Sequence, residues 1–402
     1  MPKTDRPVII LFFYRFMEFR LFFQTNIINL LQEDANVVVV VPDEVKQNVQ
    51  KVVNDNVTVE GSSIGKLTVL DEFKKGSIND FIARILAFVY TKKIGKPHNI
   101  TPKLHLKAII ERAHEQGKKA ILETYFIVLL SKMASHFYFI RKLLQQIYAW
   151  TVPRKNMAAL FKKYKPNLVV VGSFGVSADG WVMVEAKKQK VPTVVVLQSW
   201  DRTSSKGYPT VAPDYLLTWS HVTADEAHYF LDMQRQNIFI EGAPLWDDFF
   251  VDEVPISKAD FFKIFDFNEN TPLIYFAMNS LAYHQGNIDV MQKLGKMIEE
   301  KIFVPNIQLL IRFHPSYLSS SKEKKDMKAL LAKLEKIKGI AINYPETVEE
   351  SGLLFTQKDK DIQCSSFFHC TLTISSVSTF LIESAIFDKP AINLLCGTWK
   401  TN

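Results

Sequence analysis

Glycine-rich phosphate-binding motifs are missing from this sequence. Neither Gly-x-Gly-x-x-Gly nor Gly-x-x-x-x-Gly-Lys-Ser/Thr occurs, which removes support for an ordinary dinucleotide-binding or P-loop protein. His-Glu-x-x-His is missing as well, and the three cysteines, Cys364, Cys370 and Cys396, form no Cys-x-x-Cys pair. A cysteine count this sparse and odd describes neither a disulfide framework nor a zinc site. We therefore expect a reducing compartment and no metal.

Long uncharged hydrophobic runs are also missing. No segment reaches the roughly 18 apolar residues that a membrane-spanning helix needs. The run Val8–Phe13 is as apolar as the core of a signal peptide, but Arg15, Glu18 and Arg20 come soon after it and no small-residue cleavage site follows. We therefore expect a buried first strand in a cytoplasmic protein.

Positive charge is in excess, with 49 Lys and Arg against 42 Asp and Glu and a formal net charge of +7. The lysines are spread through many predicted helices and no arginine-rich or RNP-like motif occurs, so we expect no nucleic-acid partner. Phosphate-bearing small ligands and an anionic membrane surface both explain the excess. The length of 402 residues, 47% of them hydrophobic and 23% charged, predicts a globular chain of two domains.

Short β-branched runs alternate with helical stretches, which is typical of βαβ units and a parallel sheet. Runs such as Val37–Val41 are apolar throughout, as strands covered on both faces must be. In the first half we predict strands at Val8–Phe13, Val37–Val41, Leu67–Leu70, Leu168–Val171, Thr193–Leu197 and Tyr215–Thr218, with helices at Met157–Tyr164 and Trp181–Gln189. In the second half we predict strands at Leu273–Met278, Gln308–Phe313, Ala341–Tyr344, Leu372–Ile374 and Ala391–Leu394, with helices at Val290–Glu300, Lys322–Lys338 and Ser378–Phe387. Two such series predict an α/β fold of two facing Rossmann-like domains.

An acidic stretch ending in Pro255 indicates the domain boundary, so we assign residues 1–250 to the first domain and 251–402 to the second. Between about 78 and 150 the alternation gives way to mainly helical sequence, which predicts a helical insertion in the first domain. Its aromatic segments are flanked by Lys132, Arg141 and Lys142. Two interpretations stand: an insertion packed on its own domain, or an amphipathic helix lying on a membrane with its basic residues towards the headgroups.

Two groups in the second half follow predicted strands, where open α/β sheets bind ligands. Arg312-Phe-His-Pro315 offers Arg312 and His314 as donors to phosphate oxygens, or else a turn histidine stopped by proline. Ile374-Ser-Ser-Val-Ser-Thr379 opens a helix, where Ser375, Ser376, Ser378 and Thr379 suit an anion. Ordinary N-capping by one serine is the alternative. Glu383, one turn further on, is a ribose-hydroxyl acceptor or a support for the helix dipole.

Two positions in the first half are further candidates. Asp201 follows a central strand and is a candidate general base for an acceptor hydroxyl, with an Asx-turn or an ion pair to Arg202 or Lys206 as alternatives. Gly242, in Glu241-Gly-Ala-Pro244, permits a close backbone approach or is an ordinary turn glycine.

Together these segments resemble the GT-B superfamily of glycosyltransferases, and most of all the branch containing CDP-glycerol glycerophosphotransferases, bacterial polysialyltransferases and capsule-type KDO transferases. The resemblance is strongest from about Asn167 to Leu395. The residues that carry it are Ser199-Trp-Asp201, Ser204-Ser-Lys-Gly207, Glu241-Gly-Ala-Pro244, His314-Pro315, Ser375-Ser-Val-Ser-Thr379, Glu383 and Asp388-Lys-Pro390. It implies that the histidine and the serine cluster hold the phosphates of a nucleotide-activated donor, and that the first domain takes the acceptor.

The chain departs from that pattern in three places. Gln198-Ser199-Trp200 stands where glycerophosphotransferases have a His-Gly pair, and the acidic pair of sialyltransferases is reduced to Ala178-Asp179-Gly180. Relatives continue beyond the equivalent of Cys396, so we expect the second domain to lack closing helices. Asp201, and after it Asp179, are therefore the candidate bases.

The resemblance implies metal-independent sugar transfer to a surface polysaccharide or glycolipid, on the cytoplasmic face of a membrane. Glycerol phosphate transfer, nucleotide-sugar epimerisation and a catalytically silent scaffold are the alternatives.

Overall fold

The computed structural model describes residues 6–13, 16–62, 77–89, 101–152, 155–174, 178–205, 207–279, 286–303, 306–314, 323–348, 354–376 and 378–394. The predicted strand Leu67–Leu70, Lys206 and Cys396 lie outside these residues. The chain divides into two compact units, Met1–Leu245 and Trp246–Asn402.

The first unit contains a parallel seven-stranded sheet in the order β3-β2-β1-β4-β5-β6-β7. Its strands are β1 (Val8–Phe12), β2 (Asn36–Pro42), β3 (Thr58–Ser62), β4 (Leu168–Val171), β5 (Thr193–Val196), β6 (Tyr215–Thr218) and β7 (Ile238–Ile240). Central strands are buried along their length because helices cover both faces. The predicted strands that fall within the described residues are present, with ends that differ by at most one residue, while β3 and β7 were not predicted.

The helices of the first unit connect these strands. They are α1 (Phe16–Phe23), α2 (Ile27–Asp34), α3 (Lys46–Val52), α4 (Ile78–Ala87), α5 (Thr101–Gln116), α6 (Lys118–His136), α7 (Tyr138–Thr151), α8 (Lys155–Tyr164), α9 (Ala178–Lys188), α10 (Arg202–Ser205) and α11 (His221–Phe230). The predicted helical insertion corresponds to α4 to α7. None of the helices in the described part of the chain combines the length and the apolar character that crossing a bilayer requires.

The insertion is tied to its own domain by a largely buried ion pair. Arg141, in α7, donates to both carboxylate oxygens of Asp232 at 2.8 and 3.0 Å, and the Tyr208 hydroxyl donates to the same carboxylate at 2.8 Å. The expectation that Arg141 faces lipid headgroups is therefore wrong, because its side chain is buried and already neutralised.

The second unit contains a parallel five-stranded sheet in the order β10-β9-β8-β11-β12. Its strands are β8 (Leu273–Ala277), β9 (Gln308–Arg312), β10 (Ile340–Asn343), β11 (Leu372–Ser375) and β12 (Ala391–Asn393), and its helices are α12 (Lys258–Ile264), α13 (Asn287–Glu299), α14 (Glu323–Leu334), α15 (Gln357–His369) and α16 (Phe380–Ile386). Neighbouring residues of a strand point to opposite faces, so Tyr275 and Leu310 pack in one core cluster while Phe276 and Ile311 pack in the other.

Candidate functional site

The order of the second sheet reverses between β8 and β11, and open α/β sheets bind ligands in the crevice at such a point. Ser375 ends β11 and its hydroxyl donates to the carbonyl of Ala277, the last residue of β8, at 3.1 Å. Beyond it, the side-chain amide of Asn279 donates to the carbonyl of Ser376. Ser375 therefore joins two strands, which differs from the predicted contact with phosphate. Asn279 is a polar residue of the crevice that the sequence reasoning missed.

The other hydroxyls lie at the start of α16. The Ser378 hydroxyl accepts from the backbone N–H of Phe380 at 3.3 Å, one position before the N-cap residue Thr379, which makes no capping bond of its own. Thr379 immediately precedes the helix and is half-buried. Glu383 accepts from the side-chain amide of Gln363 in α15 at 3.2 Å, so this carboxylate takes part in the contact between two helices.

Arg312 ends β9 and is buried against Asp359 of α15. Its guanidinium donates to both carboxylate oxygens, at 2.8 and 2.5 Å, and to the side-chain oxygen of Asn343. The guanidinium is thus paired inside the domain, where it joins α15 to the sheet. Its predicted direct contact with phosphate stays a prediction.

His314 lies two residues further on, at the carboxyl edge of the sheet, and is half-buried. Burial, reinforced by the positive charge of Arg312, lowers the pKa of His314 to about 4. The imidazole is therefore neutral at physiological pH. A neutral imidazole would give a phosphate oxygen a weaker hydrogen bond than the charge-assisted contact that was predicted.

Asp201 lies at the start of α10 in the first unit. One carboxylate oxygen accepts from the Ser199 hydroxyl at 2.6 Å and the other from the Ser205 hydroxyl at 2.8 Å. Both donors are serine hydroxyls, so these two bonds differ from the Asx-turn alternative, in which the carboxylate accepts from a backbone N–H. A neighbouring carboxylate can share the role of general base with Asp201 as its partner.

Glu226, in α11, is such a partner, and the sequence reasoning missed it. The Thr203 hydroxyl of α10 donates to its carboxylate, and the side chain is half-buried. Burial raises the pKa of Glu226 above its ordinary value, and the negative charge of Asp201 acts in the same direction, against the hydrogen bonds from Thr203 and Ser204. Two carboxylates in unlike environments are typical of general acid–base sites.

Asp179 lies in the first turn of α9 and its side chain is fully buried. A general base must come within hydrogen-bond reach of the acceptor hydroxyl. In the protein without substrate Asp179 is closed off from solvent, and its assignment as the reserve base stays a prediction.

A buried polar group lies where the first sheet reverses its order, between β1 and β4. Gln198, just after β5, donates to the carboxylate of Glu18 in α1 at 2.9 Å. A Cβ atom on Gly172 would lie 2.3 Å from the Gln198 amide nitrogen and 2.4 Å from Cγ of Glu18, so the pair requires glycine there. Gln198 follows the strand after which glycerophosphotransferases have His-Gly, and here it holds a carboxylate.

Gly207 and Gly242 of the first unit both have positive φ, for different reasons. Gly207 has φ of 76° and a Cβ there would lie 2.2 Å from the carbonyl oxygen of Ala87, while Gly242 has φ of 82° and nothing within 4 Å. Gly242 therefore serves a turn, and the predicted close approach occurs at Gly207, where the Asp201 loop packs on α4.

We expect Gly207→Ala to lower the free energy of unfolding by more than about 2 kcal/mol, because it combines a clash with a left-handed backbone. Gly242→Ala is the matched control, with backbone strain alone and an expected loss of about 1 kcal/mol. Urea unfolding measures both values. Equal losses would show that the contact with Ala87 relaxes at no cost.

Metal ligands were not expected in the chain. Among the described residues, no three His, Cys, Asp or Glu side chains are grouped as a metal ion would need. Independence from metal stays a prediction.

Comparison with known proteins supports the fold. No protein-family model matches the chain, and no curated protein matches it in sequence. Among solved structures, UDP-GlcNAc 2-epimerase from Neisseria meningitidis bound to UDP-GlcNAc has a TM-score of 0.50 and 11% identity, over 96% of this chain and 82% of that one. A putative UDP-N-acetylglucosamine 2-epimerase from Listeria monocytogenes has a TM-score of 0.50 and 9% identity, over 97% and 80%. The predicted fold class, two Rossmann-like domains of the GT-B type, is confirmed.

Proposed function

We propose that this protein is a glycosyltransferase that moves a sugar from a nucleotide-activated donor to a cell-surface polysaccharide or glycolipid acceptor. The observation that carries the proposal is the polar crevice of the second unit, where Ser376, Asn279 and His314 follow three adjacent strands at their ligand-binding ends. The solved Neisseria structure of the same fold contains UDP-GlcNAc, which supports a nucleotide sugar as the ligand class.

In the proposed site, uncharged side chains bind the phosphates of the nucleotide sugar by donating hydrogen bonds to them. His314, Ser376, Ser378 and Thr379 provide an imidazole and three hydroxyls, while Arg312 and Ser375 hold the strands and helices that carry them. Such a site stabilises the departing nucleotide through preorganised dipoles.

The acceptor binds to the first unit, where Glu226 abstracts the proton of the acceptor hydroxyl. Asp201 raises the basicity of Glu226 through its negative charge. Three side chains therefore act together. The Thr203 hydroxyl donates to the carboxylate of Glu226, and the negative charge of Asp201 raises the pKa of that carboxylate.

The reaction is assigned to the cytoplasm. Cys364 and Cys370 are free thiols buried in the second unit, as expected of a protein kept in a reducing compartment.

Nucleotide binding tests the donor site. A thermal-shift screen of CMP, CDP, UDP and GDP identifies the nucleotide, because a ligand of the native state raises its melting temperature. We expect His314→Ala to weaken the affinity for that nucleotide by about 0.5–1.5 kcal/mol, the contribution of a neutral hydrogen bond. The pKa of His314 in the protein without nucleotide is about 4, so the imidazole enters the binding step uncharged between pH 6 and 8.

His369→Ala is the matched control for that experiment. This histidine lies in the same domain at the end of α15, where it contacts the backbone carbonyl of Ile256 at 2.8 Å, and it should leave nucleotide affinity unchanged. Calorimetry that finds full affinity in both His314→Ala and Ser376→Ala would refute the donor site.

Epimerisation of a nucleotide sugar is the second candidate, because the two solved structures named above are described as a UDP-GlcNAc 2-epimerase and a putative one. Incubation with UDP-GlcNAc alone separates the two reactions. Conversion of the sugar without an acceptor would identify an epimerase, whereas a transferase requires the acceptor.

A further inference from the structure

Helices α6 and α7 each expose a stripe of large apolar side chains. In α6 the stripe consists of Leu122, Tyr125, Phe126, Leu129 and Met133, all of them exposed. Successive helical residues lie about 100° apart, so these five positions share one face. The opposite face of the helix, which includes Ile127 and Ser131, is buried against the domain. The helix is therefore apolar on both sides and buries only one of them.

The pattern repeats in α7. Phe139, Leu143 and Trp150 recur at helical spacing on the exposed side, with both Phe139 and Trp150 67% exposed. Arg141 and Tyr148 lie on the buried side. The two helices are consecutive in the chain and in contact with each other. Their exposed apolar side chains are together called the α6–α7 surface.

Helices α6 and α7 carry more basic than acidic side chains. Lys118, Lys119 and Lys132 of α6 are exposed. Glu123 is the acidic residue of α6, and it is paired with Arg84 of α4. Helix α7 contains no acidic residue. Exposed lysines of α6 can therefore attract an anionic partner, and the one carboxylate of these two helices, that of Glu123, is already paired with Arg84.

Two of the basic residues expected to face headgroups do not contribute to this charge. Arg141 is buried, and Lys142 is half-buried with its ammonium 5.2 Å from the ring centre of Tyr138. Of the three residues named from the sequence, Lys132 is exposed as expected.

We propose that the α6–α7 surface binds an anionic lipid bilayer, with its aromatic side chains in the headgroup region and its lysines on the lipid phosphates. Lysine next to Trp, Phe and Leu is typical of helices that lie in a membrane interface. Protein interfaces are depleted in lysine, so the same lysines disfavour a protein partner. The proposal does not depend on the transferred group, and vesicle binding is measured without donor or acceptor.

Vesicle flotation tests the proposal. The full chain should float with phosphatidylcholine vesicles that contain phosphatidylglycerol, at low salt, and bind pure phosphatidylcholine more weakly. The double variant Leu129→Ser with Phe139→Ser should bind these vesicles at least about tenfold more weakly, because each replacement removes a large apolar side chain from the bilayer. Phe250→Ser with Ile302→Ser is the matched control. It replaces exposed side chains of the other unit and should float like the wild type.

Two further variants separate the contributions. Replacing Lys118, Lys119 and Lys132 with glutamine should abolish the preference for anionic vesicles. Brominated acyl chains should quench tryptophan fluorescence in the wild type and much less in Trp150→Phe. The proposal is overturned if the wild type does not float, or if the Leu129 and Phe139 double variant floats as well as its control. Sedimentation that shows a wild-type dimer and a monomeric double variant would instead assign the surface to a second copy of the chain.

Discussion

Glu226→Gln is expected to reduce sugar transfer by about 10²–10⁴-fold while nucleotide affinity stays unchanged. Glutamine keeps the shape of the side chain and its contact with Thr203, but it cannot accept a proton. The loss should appear in kcat, because the proton is transferred in the reaction step and not on donor binding. Asp225→Asn is the control on the same helix, where the exposed carboxylate pairs with Arg235 at 2.6 Å.

Asp201→Asn tests the division of roles between the two carboxylates. A general base works when it is deprotonated, so activity rises with pH through its pKa. The charge of Asp201 raises the pKa of Glu226, so its removal should move this acid limb to lower pH. Activity on the plateau should fall less than in Glu226→Gln, because Glu226 is still present.

The opposite result would identify Asp201 itself as the base, as the sequence predicted. In that case Asp201→Asn abolishes transfer at every pH, and Glu226→Gln remains active. Full activity in both variants would remove this pair from the mechanism and assign proton transfer to another group or to the substrate.

Arg312→Ala is expected to lower the free energy of unfolding of the second domain by about 3–5 kcal/mol. The substitution leaves the carboxylate of Asp359, which is 1% exposed, buried without its charged partner. The backbone N–H of Glu346 also donates to this carboxylate at 3.0 Å, and one such bond does not replace a guanidinium. Chemical unfolding followed by circular dichroism measures the loss.

The second variant removes both charges. Arg312→Met with Asp359→Leu should recover most of the lost stability, since apolar side chains of similar volume avoid the desolvation of two ions. Arg235→Ala breaks an exposed ion pair and should change stability little. If Arg312→Ala is no more destabilising than Arg235→Ala, the buried pair does not hold α15 against the sheet.

The sequence by itself determined most strands and the class of fold. Runs such as Val37–Val41 and Gln308–Phe313 bury both faces in any parallel sheet, so their composition identifies them without knowledge of their neighbours. The strand β3 (Thr58–Ser62) was missed, because it contains Glu60 and Gly61 and becomes a strand by pairing with β2. The polar helix α15 was also missed, because its first residues, Gln357-Lys-Asp-Lys-Asp361, have the composition of a surface loop.

The positions of the candidate site residues also followed from the sequence, because polar residues after a strand must lie at the carboxyl edge of the sheet. Their chemical state did not. Arg312 forms an ion pair with Asp359. The pKa of His314 is lowered by burial and by the charge of Arg312. The pKa of Glu226 is raised by burial and by the charge of Asp201. Each of these effects depends on burial or on a charge from another element of the chain. Only the tertiary structure brings such groups together, because electrostatic interactions depend on distance in space and on exclusion of water.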